Sequence, residues 1–203
     1  MNSLKTSSKA GFTLIEIVAV VTIITVVIAV TAPQIGGVFT AVRLRTDADA
    51  VYSKLLEAQS LAVLFNTDAE LRLYEVPDLV GERATLRKLR ILTLRPPEDD
   101  AAADANEFEP LGTVTTLDNE IEISQDDKHS SIVKVGFEDS SDDKFGRYIP
   151  IRFRSDGSLA LEPTDRWFLT LHEKDAHLRD PKLKNFVTIQ IEPTTGRLRT
   201  FQP

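Results

Sequence analysis

The sequence contains no cysteine among its 203 residues. Disulfide bonds and thiol catalysis are therefore excluded, so a folded domain must be held together by its apolar core alone. An excess of basic residues is also missing, because 24 Lys and Arg stand against 31 Asp and Glu, for a net charge of −7. This acidic balance argues against nucleic acid as the main partner.

Catalytic motifs are absent as well. The sequence has no G-x-S-x-G, no P-loop and no Rossmann glycine fingerprint. Of its three histidines, His129, His172 and His177, the last two flank Glu173 and Asp175 in the segment LHEKDAH, whose spacing fits neither HExxH nor a known zinc pattern. This pattern is more typical of the polar end of a strand. We therefore expect no enzyme activity, no metal site and no cofactor.

Two segments are rich in acidic residues. Residues 96–107, PPEDDAAADANE, lack large apolar side chains, which predicts an exposed, mobile insertion. Residues 138–146, EDSSDDKFG, could offer Asp139, Asp142 and Asp143 to calcium, but they lack the acidic spacing and terminal glutamate of an EF-hand loop. We interpret both segments as solvated loops.

What the sequence does have is one long apolar run, residues 11–33, with Glu16 as its single charge. The 21 residues from Phe12 to Ala32 would form a helix of roughly 30 Å, about the thickness of the hydrocarbon core of a bilayer. Because apolar side chains surround this helix on all sides, a membrane span is expected. A carboxylate one turn inside the span is costly unless a cation offsets it.

Three other interpretations of this run remain open. A conventional secretory signal could be cut after Val30-Thr31-Ala32, although Pro33 follows at once and a glutamate inside the apolar core is atypical. A plain single-pass anchor explains the length but not the glycine, the glutamate or their spacing. A buried helix of a soluble protein is the third.

The residues around the run resemble the class III signal of type IV pilins and type II secretion pseudopilins. A short basic leader, MNSLKTSSKAG, ends at Gly11; Phe12 follows, Glu16 stands at the fifth position after the glycine, and Pro33 at the twenty-second. The resemblance implies that a prepilin peptidase cuts between Gly11 and Phe12, that Phe12 becomes N-methylated, and that Glu16 is needed for assembly. It also implies a helix kink at Pro33.

Each of these residues has a physical reason to be where it is. Gly11 lets the backbone enter a protease site closely. Glu16 could pair with the α-amino group of Phe12 in a neighbouring subunit, so that both buried charges are compensated only when subunits stack in register. Pro33 removes a helical N–H and clashes with the preceding turn, which should kink or locally melt the helix.

Beyond Pro33 an amphipathic helix is predicted to about Asn66. Its apolar positions recur at steps of four and three, while most charged residues fall off the stripe, which comprises Leu44, Ala48, Val51, Leu55, Ala58, Ala62 and Phe65. This two-part helix resembles the pilin spine, in which the second half packs one face on a globular domain.

From Ala69 onward the apolar period changes to two, which predicts roughly seven to nine short strands. The expected strands centre on Leu71–Leu73, Leu89–Leu94, Val133–Phe137, Ile149–Phe153, Leu159–Leu161, Trp167–Leu171, Phe186–Ile191 and Leu198–Phe201. Hairpin-like turns are expected at residues 155–158 and 193–196. The predicted fold class is α+β, with one long N-terminal helix on an antiparallel sheet.

The segments RFRSDGSL and EPTTGRLRTF are similar to the GspH/FimT group of minor pseudopilins. The predicted organisation is a cleaved leader (1–11), a transmembrane half-helix (12–33), an amphipathic half-helix (34–66) and a periplasmic β-rich domain (67–203).

The resemblance implies a structural subunit of a pseudopilus or pilus, held in the bacterial inner membrane with a cytoplasmic N-terminus. Its implied partners are prepilin peptidase, other pilin or pseudopilin subunits, the assembly platform and membrane lipid, with a secretin or a secreted substrate as further candidates and no nucleic acid. The alternative is a membrane-tethered periplasmic binding module that never polymerises.

Overall fold

The computed structural model describes residues 12–77, 83–94, 108–140, 145–174, 176 and 185–202. The chain divides into two compact units, Met1–Phe39 and Thr40–Pro203. The helices and strands, in chain order, are α1 (Leu14–Phe65), β1 (Ala69–Val76), β2 (Thr85–Leu94), β3 (Phe108–Thr116), β4 (Ile121–Ile123), a short 3₁₀ helix (Ser131–Val135), β5 (Glu138–Asp139), β6 (Arg147–Phe153), β7 (Trp167–Glu173), β8 (Phe186–Ile191) and β9 (Leu198–Phe201).

The part of α1 that belongs to the second unit buries the predicted apolar stripe. Six of its seven positions are at most 3% exposed: Leu44, Ala48, Val51, Leu55, Ala58 and Ala62. They form one core cluster with the inward side chains of the strands, such as Leu71, Ile151 and Ile189. The amphipathic helix predicted from the sequence is therefore confirmed over this range.

The seventh position, Phe65, is 52% exposed, so its assignment to the stripe was wrong. Phe65 is the last residue of α1, and Asn66 after it adopts a left-handed conformation with φ of 50°. The N–H of Asn66 donates to Val63 O at 3.3 Å and that of Thr67 to Ala62 O at 3.1 Å. This pair of hydrogen bonds is a Schellman motif, which ends the helix at Phe65, the last position of the predicted stripe.

All nine strands join one antiparallel sheet. The strand order is β5-β6-β1-β2-β4-β7-β8-β9. The remaining strand, β3, is not part of this linear order and pairs with β2. β1 lies between β2 and β6, with Leu71 opposite both Ile91 and Ile151. The inward side chains of these strands pack on the helix stripe, so the predicted α+β fold, a long N-terminal helix with an antiparallel sheet, is confirmed.

Two of the expected strands do not form. The segment Val133–Phe137 alternates apolar and polar residues, yet residues 131–135 form a 3₁₀ helix. The reason lies in the serines before it: Ser130 Oγ accepts from the Thr170 N–H at 2.9 Å, and Ser131 Oγ from the Phe168 N–H at 2.8 Å. These hydroxyls bond to β7 in place of a strand ladder, and side chains of this kind favour turns over strands. Leu159–Leu161 contributes only an isolated bridge between Phe153 and Leu159.

Three strands were not predicted. β3 is mostly exposed on both faces and contains Pro110 and Gly112, so it lacks the period-two pattern. β4 has three residues and β5 has two, which is too short for a periodic signal.

Both predicted hairpin turns are present, and one helix side chain bonds to both. The N–H of Arg154 donates to Ser158 O at 2.7 Å, and the N–H of Glu192 donates to Arg197 O at 2.9 Å. From α1, the amide nitrogen of Gln59 donates to Gly157 O at 2.9 Å and to Thr195 O at 3.3 Å. Gln59 therefore ties the amphipathic part of α1 to two turns that lie about 100 and 140 residues further along the chain.

His172 is a buried residue of β7 and lies one position before the end of that strand. Its Nδ1 lies 2.7 Å from Glu173 O and its Nε2 lies 3.7 Å from Glu122 Oε1. Burial is the largest influence and lowers the pKa of this imidazole; the hydrogen bond with the Glu173 carbonyl raises it by less, and the neighbouring His129 and Arg83 side chains lower it further. His172 is therefore held neutral in the folded chain.

This burial predicts a pH-dependent stability. Because the folded-state pKa lies below the ordinary 6.5, the unfolded chain binds the proton more readily, and stability is lost as pH falls from about 6.5 toward the folded pKa. We expect His172→Phe to flatten this slope, which for one group is at most about 1.4 kcal/mol per pH unit. Urea unfolding of both proteins at pH 7.5 and 5.5, followed by the fluorescence of the buried Trp167, measures it. Equal slopes would show that His172 does not cause the acid sensitivity.

Candidate assembly site at the start of the N-terminal helix

The residues predicted to act in processing and assembly lie around the start of α1. Gly11 falls outside the described residues. Phe12 is 80% exposed and precedes the helix, and Glu16 lies in the first helical turn. α1 continues through the position of Pro33. The kink at Pro33 stays a prediction, because the side chains of residues 30–38 are not among those described.

Thr13 and Glu16 cap the start of α1 reciprocally. The backbone N–H of Glu16 donates to Thr13 Oγ1 at 3.3 Å, and the backbone N–H of Thr13 donates to Glu16 Oε2 at 3.4 Å. This is the capping box, in which a Thr at the N-cap and a Glu three residues later satisfy donors that the helix itself leaves unpaired. The negative charge of Glu16 also lies at the positive end of the helix dipole.

The capping box holds the Glu16 carboxylate beside the backbone of residues 12 and 13. Its hydrogen bond from Thr13 is long, and within the described part of the chain Glu16 forms no ion pair. Chemically, the group is a carboxylate at the start of the helix with an unused capacity to accept charged hydrogen bonds. Thr13 was not identified from the sequence, although the Thr-x-x-Glu spacing ahead of an apolar run is a readable signal.

An apolar surface follows the capping box on all sides of α1. The side chains are between 49% and 83% exposed in the single chain: Leu14, Ile15, Ile17, Val18, Val20, Val21, Ile23, Ile24, Val26, Val27 and Ile28. The two hydroxyls within this surface are bonded to the helix, Thr22 Oγ1 to Val18 O and Thr25 Oγ1 to Val21 O, both at 2.8 Å. With those hydroxyls satisfied, Glu16 is the one ionisable group on the surface formed by residues 12–29.

Among the helices in the described ranges, none is both long enough and apolar enough to cross a membrane.

Of the other candidates from the sequence, those that the structure describes do not converge on a site. Residues 96–107, Asp142, Asp143, Asp175 and His177 lie outside the described residues. Within the described ranges, no three His, Asp or Glu side chains come together as a group that could hold a metal. His129 pairs with Asp126 at 3.4 Å, and His172 has the contacts given above.

Comparison with known proteins gives matches of two kinds. Residues 6–32 match the prokaryotic N-terminal methylation motif. Two solved structures of the minor pseudopilin EpsH from the type 2 secretion system of Vibrio cholerae are similar, at 17% and 16% identity, with TM-scores of 0.45 and 0.47. Each match covers 79% of this chain, and 98% and 97% of the EpsH chains. No curated protein matches.

The matched residues contain the second half of the leader, Gly11, Phe12, the capping box and the apolar run to Ala32. They include most of the residues on which the sequence resemblance rested. The chain thus carries the prokaryotic N-terminal methylation motif at residues 6–32.

Proposed function

We propose that the chain is a structural subunit, a minor pseudopilin or pilin-like protein, of a type II secretion pseudopilus or a type IV pilus. The observation that carries this proposal is the methylation motif at residues 6–32, together with the capping box that positions Glu16 in the first turn of α1. The role is structural, since a subunit of this kind needs a helix for assembly and no catalytic centre.

Processing is the first step of the proposed function. Prepilin peptidase removes residues 1–11 by cutting between Gly11 and Phe12, and Phe12 is then N-methylated. The cut creates an α-amino group on the residue that precedes the Thr13–Glu16 capping box. A cation and a carboxylate are thereby placed within the same short segment of every subunit, as head-to-tail pairing of copies along a fibre requires.

Membrane insertion precedes assembly in this proposal. Residues 12–33 would place their apolar surface in the inner membrane, with the leader in the cytoplasm and residues 67–203 in the periplasm, as the lysines before the run favour. A charge on this surface is costly in lipid, so Glu16 favours a state in which a partner cation neutralises it.

Assembly then joins subunits through the N-terminal helices. The carboxylate of Glu16 exchanges its long bond to Thr13 for a charged pair with the Phe12 amine of a neighbouring subunit. Such a pair forms only in one register of adjacent helices, so the charge selects how subunits stack as well as whether they stack. The proposed partners are the peptidase, the assembly platform and other subunits of the fibre.

Substituting Gly11 tests the processing step. We expect Gly11→Ala to slow removal of the leader, because a Cβ at this position hinders close approach of the backbone to the peptidase. Immunoblotting of the host's membrane fraction during a pulse–chase measures the ratio of unprocessed to processed chain. Ala10→Gly is a matched control that changes the neighbouring leader residue in the opposite direction and should leave processing intact. Equal processing of Gly11→Ala and wild type would remove the role proposed for Gly11.

A further inference from the structure

β9 is an open edge of the sheet. It pairs with β8 on one side, and no described strand pairs with it on the other. The N–H of Glu192 donates to Arg197 O, so Glu192 and Arg197 face each other as a hydrogen-bonded pair. Hydrogen-bonded and non-hydrogen-bonded pairs alternate along antiparallel strands, and the N–H and C=O groups of Leu198 and Thr200 therefore point away from β8. Within the described ranges nothing bonds to these outward groups. An edge in this state is the template on which an extended segment can add as a further strand.

Two arginines flank this edge without acidic partners. A cavity of about 360 Å³ is lined by Gln190, Glu192, Thr195, Arg197 and Arg199. Both guanidinium groups are on exposed residues, and neither forms an ion pair within the part of the chain that the structure describes. Glu192 is the single acid of the lining. In a chain whose net charge is −7, this edge is a local concentration of unpaired positive charge.

An apolar position completes the edge. Phe201, two residues after Arg199, is on the same face of the strand and is 51% exposed. It pairs with Thr188, which lines a neighbouring cavity of about 180 Å³ together with Lys128, His129, Phe168, Thr170 and Phe186. Along β9 the outer face therefore offers first a cationic position and then an aromatic one, at the two-residue spacing of side chains in an added strand.

We propose that β9 is a docking edge for an extended acidic segment of a partner protein, which adds to the sheet as a strand. The outward backbone groups of Leu198 and Thr200 pair with the segment's main chain. Arg197 and Arg199 bind its carboxylates, and Phe201 contacts an apolar side chain two positions along. This surface lies in the Thr40–Pro203 unit, so it adds a partner to the subunit beyond those of its N-terminal helix.

Fluorescence anisotropy of labelled peptides with the detergent-solubilised full chain tests the proposal. The probe is an acetylated octapeptide with Val at position 2, Glu at positions 4 and 6 and Thr at the other positions, so that the valine and both glutamates lie on one face of an added antiparallel strand. One comparison peptide has Lys in place of both Glu residues, and another keeps the acidic sequence but is N-methylated at every second peptide bond. We expect the acidic peptide to bind, the basic one not to bind, and the N-methylated one to bind at least tenfold more weakly, because it keeps the charge but loses strand pairing.

Three variants locate the binding on β9. Arg197→Glu and Arg199→Glu should each weaken binding about fivefold, as expected for loss of one exposed ion pair. Thr200→Pro removes one outward N–H at an edge position where proline is tolerated, and it should weaken binding at least tenfold with both arginines in place. Arg45→Glu makes the same charge change at an exposed helix position and should leave binding unchanged.

Several results would overturn the proposal. Equal binding of the N-methylated peptide, or binding unaffected by Thr200→Pro, would exclude strand addition. Equal effects of Arg45→Glu and Arg199→Glu would exclude a specific acidic contact. If the chain dimerised without peptide and Thr200→Pro abolished the dimer, the occupant would be a second copy of this chain and not an acidic partner segment. The fluorescence of Trp167 during thermal unfolding confirms that each variant is folded.

Discussion

Replacing Glu16 by valine is expected to leave removal of the leader intact and to abolish most incorporation into the fibre. The proposed peptidase cut lies between Gly11 and Phe12, one turn before Glu16, and valine preserves the apolar run. In the fibre, however, the Phe12 amine of the neighbouring subunit would lose its carboxylate and remain a buried, unpaired charge. Breaking a buried pair in this way costs about 3–5 kcal/mol, which corresponds to at least a hundredfold weaker contact per subunit.

The measurement is the ratio of variant to wild type in sheared fibres when both forms are co-expressed with different tags. Two controls separate the charge from other effects. Thr22→Val also exchanges a polar residue of the apolar surface for valine, but it removes only a hydroxyl bonded within its own helix, so incorporation should continue. Glu16→Gln keeps a side chain that can close the capping box but removes the charge, and it should fail as Glu16→Val does.

Incorporation of Glu16→Val at the wild-type level would show that charge pairing does not drive assembly. Failure of Glu16→Val with normal incorporation of Glu16→Gln would assign the role of Glu16 to the helix cap alone.

Replacing Gly196 by alanine is expected to destabilise the Thr40–Pro203 unit by about 2–4 kcal/mol. Gly196 has φ of 65°, and a Cβ placed on it would lie 2.1 Å from Gln59 Nε2 and 2.3 Å from Gly157 O. The carbonyl belongs to the backbone of the other turn, so it cannot move without displacing residues 155–158. The bond from Gln59 to Gly157 O would be lost along with this displacement. For a domain of this size the midpoint of thermal unfolding should fall by about 5–15 °C.

A second glycine separates the crowding from the backbone cost. Gly112 has φ of 75°, but a Cβ on it would meet no atom within 4 Å. Gly112→Ala should therefore cost only the positive-φ penalty, about 1–2 kcal/mol. Combining Gly196→Ala with Gln59→Ala should recover part of the loss, because one of the two clashing groups is then absent. Equal midpoints for Gly196→Ala and Gly112→Ala would show that the close contacts of Gly196 with Gln59 and Gly157 do not limit the stability of the domain.

The sequence predicted those parts of the fold in which apolar residues recur at a regular spacing. The stripe from Leu44 to Ala62 and the strands around Leu71, Ile151 and Ile189 alternate in the way that one buried face requires, and all are buried. The turns at Gly157 and Gly196 were predicted because the residue types in both segments favour tight turns.

The remaining features depend on contacts between distant parts of the chain. Gln59 looks like an ordinary polar helix residue, and its role appears only when two turns, 98 and 136 positions away, are brought to it. Val133 and Val135 have a strand pattern, but the hydroxyls of Ser130 and Ser131 bond to β7 and favour a 3₁₀ turn. The spacing of apolar residues along the sequence does not indicate hydrogen bonds of this kind.

The candidate site shows the same division. Glu16 was predicted from the resemblance, and the capping partner Thr13 follows from a three-residue spacing that could have been read directly. The open edge of β9 could not be predicted, because which strand ends a sheet depends on the order of all nine. The sequence therefore predicts the helix start in detail and the position of β9 in the sheet not at all.

The most direct test of the proposed function is the N-terminal sequence and intact mass of the chain recovered from the host's membrane fraction, with and without its prepilin peptidase. The proposal predicts a chain that begins at N-methylated Phe12 when the peptidase is present and at Met1 when it is absent. A chain that begins at Met1 in both hosts, or near Pro33 in both, would contradict it. The first result would indicate an unprocessed tether, and the second an exported protein cut by an ordinary signal peptidase.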